Sequence, residues 1–234
     1  MSTWLFKVKN RKPQDIRLRI RIEEDAFERM TPGWQKLAFP FDKLVPSLAT
    51  AIGSSSDRPI ALAELVGIIL NDGERRPALR ATRLRIAAGT PYETILEPAA
   101  DNHKTAMSRE VARTLRELLA SVVEGGTAQR LAGSFVLPDG TRVIAGGKTG
   151  SGDNRYETSS RGGPINRTAT FVFYIGDKYF GVITAHVNGR AASQYHFTSA
   201  LPVTVLKMLA PVINSRLADA MPGHSLYAKA LKSN

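Results

Sequence analysis

A chain of 234 residues, 43% hydrophobic and 23% charged, can bury a core of its own, which excludes a disordered or low-complexity protein. It has no cysteine, so structural disulfides and thiolate metal centres are excluded as well. Its formal charge of +11 sets up a positive field that draws anionic partners, a matter of encounter and solubility rather than of fold.

The first twelve residues, MSTWLFKVKNRK, put lysines where a signal peptide needs an unbroken apolar stretch, and no later run approaches the ~20 apolar residues of a membrane span. As written, the chain is expected to be soluble and cytoplasmic. Residues 17–22, RLRIRI, alternate strictly and read as a strand, with Arg17, Arg19 and Arg21 on one side and Leu18, Ile20 and Ile22 on the other. Three arginines in a row suit the solvated face of an antiparallel sheet better than a phosphate track, because no aromatic platform is interleaved. Nucleic acid is therefore not an expected partner.

Residues 39–56 read as a loop, with turns at the prolines and a serine-rich stop. The stretch DRPIALAELVGIILNDG then predicts a helix capped by Asp57, with Pro59 in its first turn and Gly73 at its close. Residues 82–97 predict two short strands around a Gly-Thr-Pro turn. A second helix starts at Ser108 and presents Val111, Leu115, Leu118, Leu119 and Val122 as one apolar stripe, ending at Gly125 and Gly126. After the turn LPDGT (137–141) comes the strand VIAGGKTGSGDN. A tight hairpin follows, from TATFVFYIG (168–176) to KYFGVITAHV (178–187). The last helix, from residue 199, should lie on the sheet, with Pro211 kinking or interrupting it. The predicted fold is thus α/β (α+β), an antiparallel sheet with the carboxy-terminal helix packed on it.

The chemistry concentrates at Lys148, Thr149, Gly150 and Ser151, at the end of a strand with little side-chain bulk. A bare strand edge lets a peptide pair with it as an added strand. Lys148 supplies positive charge, the hydroxyls of Thr149 and Ser151 supply donors for a carboxylate, and the Ser151 N–H can face a developing oxyanion.

This constellation resembles the third motif of the penicillin-binding transpeptidases and serine β-lactamases. VVEGGTAQRLAG (122–133) is similar to the helix end that precedes this strand in class A penicillin-binding proteins. VPSLATAIGSSSDRPIALAELVGIILNDG (45–73) is similar to that family's run into a helix ending in Asn-(Asp/Gly)-Gly. The resemblance spans about residues 40–218; residues 1–40 are the less certain region, 41–218 the family-like core and 219–234 a tail. It implies a penicillin-binding protein/β-lactamase-like fold, a D,D-transpeptidase that cross-links peptidoglycan stem peptides through an acyl-serine, and β-lactams as mimics of the donor. It implies no cofactor and no metal, and a parent protein that is periplasmic and membrane-anchored.

That family needs a serine three residues ahead of a lysine on a helix, so that one turn brings the amine beside the hydroxyl. No serine here has that spacing: Ser47 is followed at three by Thr50, Ser108 by Val111 and Ser199 by Pro202. The family's Ser-x-Asn motif is also missing, and SGDN at 151–154 has the wrong spacing. The expectation is a carboxy-terminal portion that keeps one wall of the active site and is inactive alone, with the upstream part of the domain as its partner. Tyr156, Glu157 and Arg161 fall in a loop near the motif and are expected to be solvated. A competing reading is a non-catalytic basic module for peptidoglycan, anionic lipid or nucleic acid. A complete hydrolase is a third, but His103, His186, His196 and His224 follow no nucleophile-elbow pattern, and no HExxH spacing occurs.

Overall fold

Helix α1 (Arg11–Lys36) is the first described element of a computed structural model that describes residues 11–53, 55–76, 78–79, 81–97, 103–153, 155–157 and 162–220. The chain divides into two compact units, Met1–Ala61 and Leu62–Asn234.

In the first unit the segment RLRIRI is part of α1, which corrects the strand predicted from its alternation. The six-residue alternation is overruled by its neighbours: Arg21 reaches Glu24 at 3.8 Å and Asp25 at 3.2 Å, the i+3 and i+4 pairs that only a helix brings together. Along a helix alternate residues lie about 200° apart, so the three arginines form no row, and Ile16, Leu18, Ile20 and Ile22 all stay exposed. The small core of this unit is Phe27, Phe39 and Leu44 with Phe41 against it. The Thr31 hydroxyl donates to the Phe27 carbonyl and accepts from the Leu44 N–H, which ties the connection back to the helix. The 39–56 segment is a loop, as predicted, with one 3-10 turn over Leu48–Ile52 capped by the Ser47 hydroxyl.

Helix α2 (Pro59–Leu70) starts with proline at its first position, where a missing N–H costs nothing. Asp57 is not its cap: the carboxylate accepts from the neighbouring Arg58 N–H instead. Burial pushes the Asp57 carboxyl up against that bond. Gly73, at φ +93°, closes the helix by donating to the Ile68 carbonyl. Two small antiparallel pairs follow, β1 (Glu74–Arg75) with β4 (Lys104–Thr105), and β2 (Leu84–Ile86) with β3 (Thr94–Leu96). The second is the predicted hairpin.

Helix α3 (Arg109–Glu124) is capped by Ser108, whose hydroxyl accepts from the Val111 N–H. Its buried face differs from the predicted stripe. Ala112 and Val123 are the buried positions; of the predicted stripe Leu115, Leu119 and Val122 are half-buried, while Val111 and Leu118 are exposed.

The principal sheet has the order β5-β8-β9, from β5 (Ala145–Gly152), β8 (Asn166–Ile175) and β9 (Tyr179–Asn188), antiparallel throughout. Between β5 and β8 lies the small pair β6 (Arg155–Glu157) and β7 (Gly162–Pro164). The β8–β9 register runs unbroken from Asn166↔Asn188 to Ile175↔Tyr179, so the predicted hairpin is present. One sheet face carries Ala145, Phe171 and Ile175, packed on Val203, Leu206, Ala210 and Leu217 of α4 (Ala200–Ala220) and on Leu131 and Phe135. Helix α4 runs on through Pro211 without interruption. Pro211 is exposed, so the lost hydrogen bond falls on the solvent side. Helix α4 also carries an uncovered apolar stripe, Leu201, Val205, Met208, Leu209 and Val212, with Met208 74% exposed.

The opposite sheet face meets α2 and α3. The Tyr174 hydroxyl donates to the Arg116 carbonyl at 2.9 Å, and the Arg116 guanidinium lies over the Tyr174 ring at 5.5 Å and pairs with Asp177 in the β8–β9 turn. Burial pushes the Tyr174 phenol up, with Arg116 pulling the other way.

Candidate functional site

The predicted residues lie together on β5, at one edge of the three-stranded sheet. The strand has two distinct halves. Ala145, Gly146 and Gly147 are buried, whereas Lys148, Gly150, Ser151 and Gly152 are exposed. The glycines of the first half serve packing rather than peptide approach. A Cβ at Gly146 would lie 2.5 Å from the Tyr174 ring, and one at Gly147 would lie 2.3 Å from the Val172 carbonyl oxygen and 2.7 Å from the Phe171 ring. Gly150 and Gly152 are different, since a Cβ at either meets nothing within 4 Å. Bareness that leaves room for a ligand therefore begins after Lys148.

The ladder fixes which backbone groups of β5 are free. The Gly176 N–H donates to the Ile144 carbonyl at 2.7 Å, so 144↔176 is a hydrogen-bonded pair. Antiparallel pairs alternate, and the register Gly146↔Tyr174, Lys148↔Val172, Gly150↔Thr170 makes those the bonded pairs. The N–H and C=O of Gly147, Thr149 and Ser151 consequently point away from β8, to the outer edge. The Lys148 ammonium donates at 2.7 Å to the carbonyl of Thr149, one of those outward groups.

Side chains alternate correspondingly. Thr149, paired with Phe171 on the core face, is 8% exposed and meets the Thr127 hydroxyl at 2.7 Å. This hydroxyl pair ties the strand to the segment that leaves α3. Ser151 is exposed, and its hydroxyl accepts from the Ser199 N–H at 2.8 Å, just ahead of α4. Its own proton remains available for donation. Arg167 and Asp153 lie beyond it, 3.8 Å apart, with the guanidinium Nε buried and without a hydrogen-bond partner. The Thr127 and Ser199 contacts were not legible in the sequence, since they join residues 22 and 48 positions apart.

Of the other residues singled out, Tyr156 and Glu157 belong to β6, while Arg161, His224 and Asn154 lie outside the described residues. His186 meets the Thr168 hydroxyl through Nδ1 at 2.8 Å, and His196 is exposed. Among the described residues no group of three or more acidic, histidine or cysteine side chains is placed to hold a metal, and no helix is long and apolar enough to cross a membrane.

No protein-family model matches the chain, and no curated protein matches it. Solved structures do. Penicillin-binding protein 3 from Mycobacterium tuberculosis complexed with ampicillin superposes at a TM-score of 0.53 and 17% identity, over 85% of this chain and 48% of that one. The aztreonam complex of the same protein gives 0.52 and 17%, over 81% and 46%, and its apo form 0.52 and 18%, over 81% and 46%. The chain thus spans about half the length of the solved structures it matches. At this identity the likeness speaks to the fold, and the mixed helix and antiparallel-sheet architecture is of the penicillin-binding protein/β-lactamase-like kind.

Proposed function

We propose that this chain is the carboxy-terminal portion of a D,D-transpeptidase domain of the class A penicillin-binding type, the portion that bears the Lys-Thr-Gly wall. The observation that carries this reading is the free half of β5. From Lys148 onward every residue but Thr149 is exposed, no side chain stands at Gly150 or Gly152, and the Ser151 N–H turns outward. A donor stem peptide would pair along this edge, with its terminal carboxylate near the Lys148 ammonium and the Ser151 hydroxyl. The carbonyl under attack would lie at the Ser151 N–H, a donor fixed in place before charge develops. Thr149 would position the strand through Thr127, and Gly150 would keep the approach open. β-Lactams would occupy the same edge as mimics of the donor.

The sequence holds no Ser-x-x-Lys and no Ser-x-Asn, so the attacking hydroxyl would come from polypeptide outside it, and the chain alone would not acylate. The apolar stripe of α4 and the second sheet edge, β9, are surfaces on which such polypeptide would pack. The parent protein would act in the periplasm.

The test is a titration of isotope-labelled chain with acetyl-D-alanyl-D-alanine, alongside incubation with fluorescent penicillin. Amide shifts confined to the neighbourhood of Lys148–Ser151, with no covalent label, are expected. A penicilloyl adduct on the isolated chain would refute the missing nucleophile. Binding of anionic vesicles or nucleic acid that collapses with salt, with no response to the peptide, would favour the basic-module reading instead.

A further inference from the structure

We infer that the β2–β3 hairpin is a membrane-contact element, whose apolar face and tip enter the interface of an anionic bilayer while the rest of the chain stays in water. It concerns residues other than those of β5 and stands independently of the function proposed above.

All residues of the two strands are exposed, and a two-stranded hairpin with neither face packed is marginal in water. Its faces differ. On one, the cross-strand pairs Leu84↔Leu96 and Ile86↔Thr94 set three aliphatic side chains together with no charge among them. The other gathers the charges and cancels them: Arg85 grips Glu93 through two hydrogen bonds of 2.8 and 2.9 Å, and Arg83 lies 3.4 Å from Glu97. The loop from Ala87 to Tyr92 holds no charged residue, and Tyr92 is 82% exposed. The loop satisfies its own backbone. The N–H groups of Gly89, Thr90, Tyr92 and Glu93 donate in turn to the Glu93 carboxylate, the Ala87 carbonyl, the Thr90 hydroxyl and the Thr90 carbonyl, and Pro91 has no N–H to place. The Thr90 hydroxyl donates to the Ala87 carbonyl, and that of Thr94 to the Tyr92 carbonyl. A tip that asks so little of water suits a solvent that offers no hydrogen bonds. An exposed tyrosine beside aliphatic side chains suits the boundary where that solvent meets water.

A bilayer fits this surface better than a protein does. Leu84, Ile86, Leu96 and Tyr92 fall well short of the ~800 Å² per partner that a stable interface buries, whereas a lipid surface needs no matching patch. Anionic headgroups also attract the +11 charge of the whole chain. Arg76 before the hairpin and Lys104 after it are exposed and add to that attraction. The contact is shallow, because the outer edges of β2 and β3 must keep their backbone groups at headgroup level, within reach of water.

The chain has no cysteine, so Tyr92→Cys and Met208→Cys each carry one environment-sensitive fluorophore, on the hairpin and on the apolar stripe of α4. Vesicles of three parts phosphatidylcholine to one of phosphatidylglycerol should move the emission of the Tyr92→Cys label to the blue. No shift there, whatever the Met208→Cys label does, overturns the inference. In co-sedimentation of the unlabelled chain with the same vesicles, Tyr92→Ser should lower the partition coefficient about fivefold, and Leu84→Ser combined with Tyr92→Ser at least about tenfold. Equal partitioning of wild type and both variants, lost as salt is raised, would mean that charge alone acts and the hairpin plays no part. Self-association of the chain in sedimentation velocity without lipid, abolished by Tyr92→Ser, would make the hairpin a contact between two copies and overturn the membrane assignment. Tyr92 lies outside both strands, so the circular dichroism melt of Tyr92→Ser should stay within about 2 °C of wild type; should the double variant not fold, the single one decides. The β5 amide response to acetyl-D-alanyl-D-alanine should be the same in Tyr92→Ser as in wild type, so this inference and the proposed function can each fail without the other.

Discussion

Replacing Gly147 with alanine should be among the most damaging single-methyl additions in the sheet. The new Cβ would sit 2.3 Å from the Val172 carbonyl oxygen, about 1.1 Å inside the 3.4 Å at which ordinary contact begins. It would also sit 2.7 Å from the ring of Phe171, which is fully buried. The ring cannot rotate away within a packed core. The oxygen belongs to the backbone opposite Lys148, so moving it stretches a ladder hydrogen bond. Overpacking of this kind costs about 1–3 kcal/mol, and a lost backbone bond adds roughly 1 kcal/mol. The expected loss is therefore about 3 kcal/mol, a large share of the ~5–15 kcal/mol that holds a domain together. With a urea slope near 2 kcal/mol/M, the midpoint should fall by roughly 1.5 M. Gly150→Ala is the internal control, since its Cβ meets nothing within 4 Å. It should leave the midpoint within about 0.5 M, or raise it slightly by restricting the unfolded chain. Urea unfolding followed by circular dichroism decides the matter. Equal midpoints for the two variants would show that the two halves of β5 are not packed as described.

Other substitutions probe the supports of that strand. Tyr174→Phe removes the hydroxyl that donates to the Arg116 carbonyl and should cost about 1 kcal/mol near neutral pH. Because burial raises the Tyr174 value above its ordinary 10.0, the unfolded chain loses the phenolic proton first; this contribution is complete below pH ~10 and is lost as pH climbs through the raised folded value. Thermal melts of the wild type against Tyr174→Phe across pH 9 to 11 should therefore converge, and parallel curves would refute the assignment. Ser108→Ala removes the α3 cap and should lower stability by about 1 kcal/mol, read as a lower urea midpoint with unchanged slope. Asn214→Ala removes a side chain that accepts from the Val136 N–H and donates to the Ser134 carbonyl. With two backbone groups left unpaired it should cost about 2 kcal/mol, and hydrogen exchange at Val136 should quicken.

The elements most legible in the sequence are those whose signals are local. The β8–β9 hairpin announces itself by two alternating runs around Gly176-Asp177, and α3 by Ser108 ahead of a helical period. RLRIRI misleads because six residues carry an alternation without the Glu24 and Asp25 partners that decide its geometry. The apolar stripe of α3 is placed only in part: Leu115, Leu119 and Val122 are half-buried, but period alone cannot say that Ala112 and Val123 are the most deeply buried positions. At the site, Lys148 and Ser151 stand where a strand edge should put them. The inward turn of Thr149 depends on Thr127, and the meaning of Gly146 and Gly147 depends on rings in another strand. Such facts follow from register, which no short window of sequence encodes.

The division of β5 also has a mechanical meaning. Rings and backbone clamp its first three residues like the fixed root of a cantilever, while the far half is held by its ladder to β8, by Thr127 at Thr149 and by the Ser151 to Ser199 tether, with nothing packed over Gly150 or Gly152. A load on that outer half is therefore shared between the sheet, through β8, and the start of α4, through Ser199.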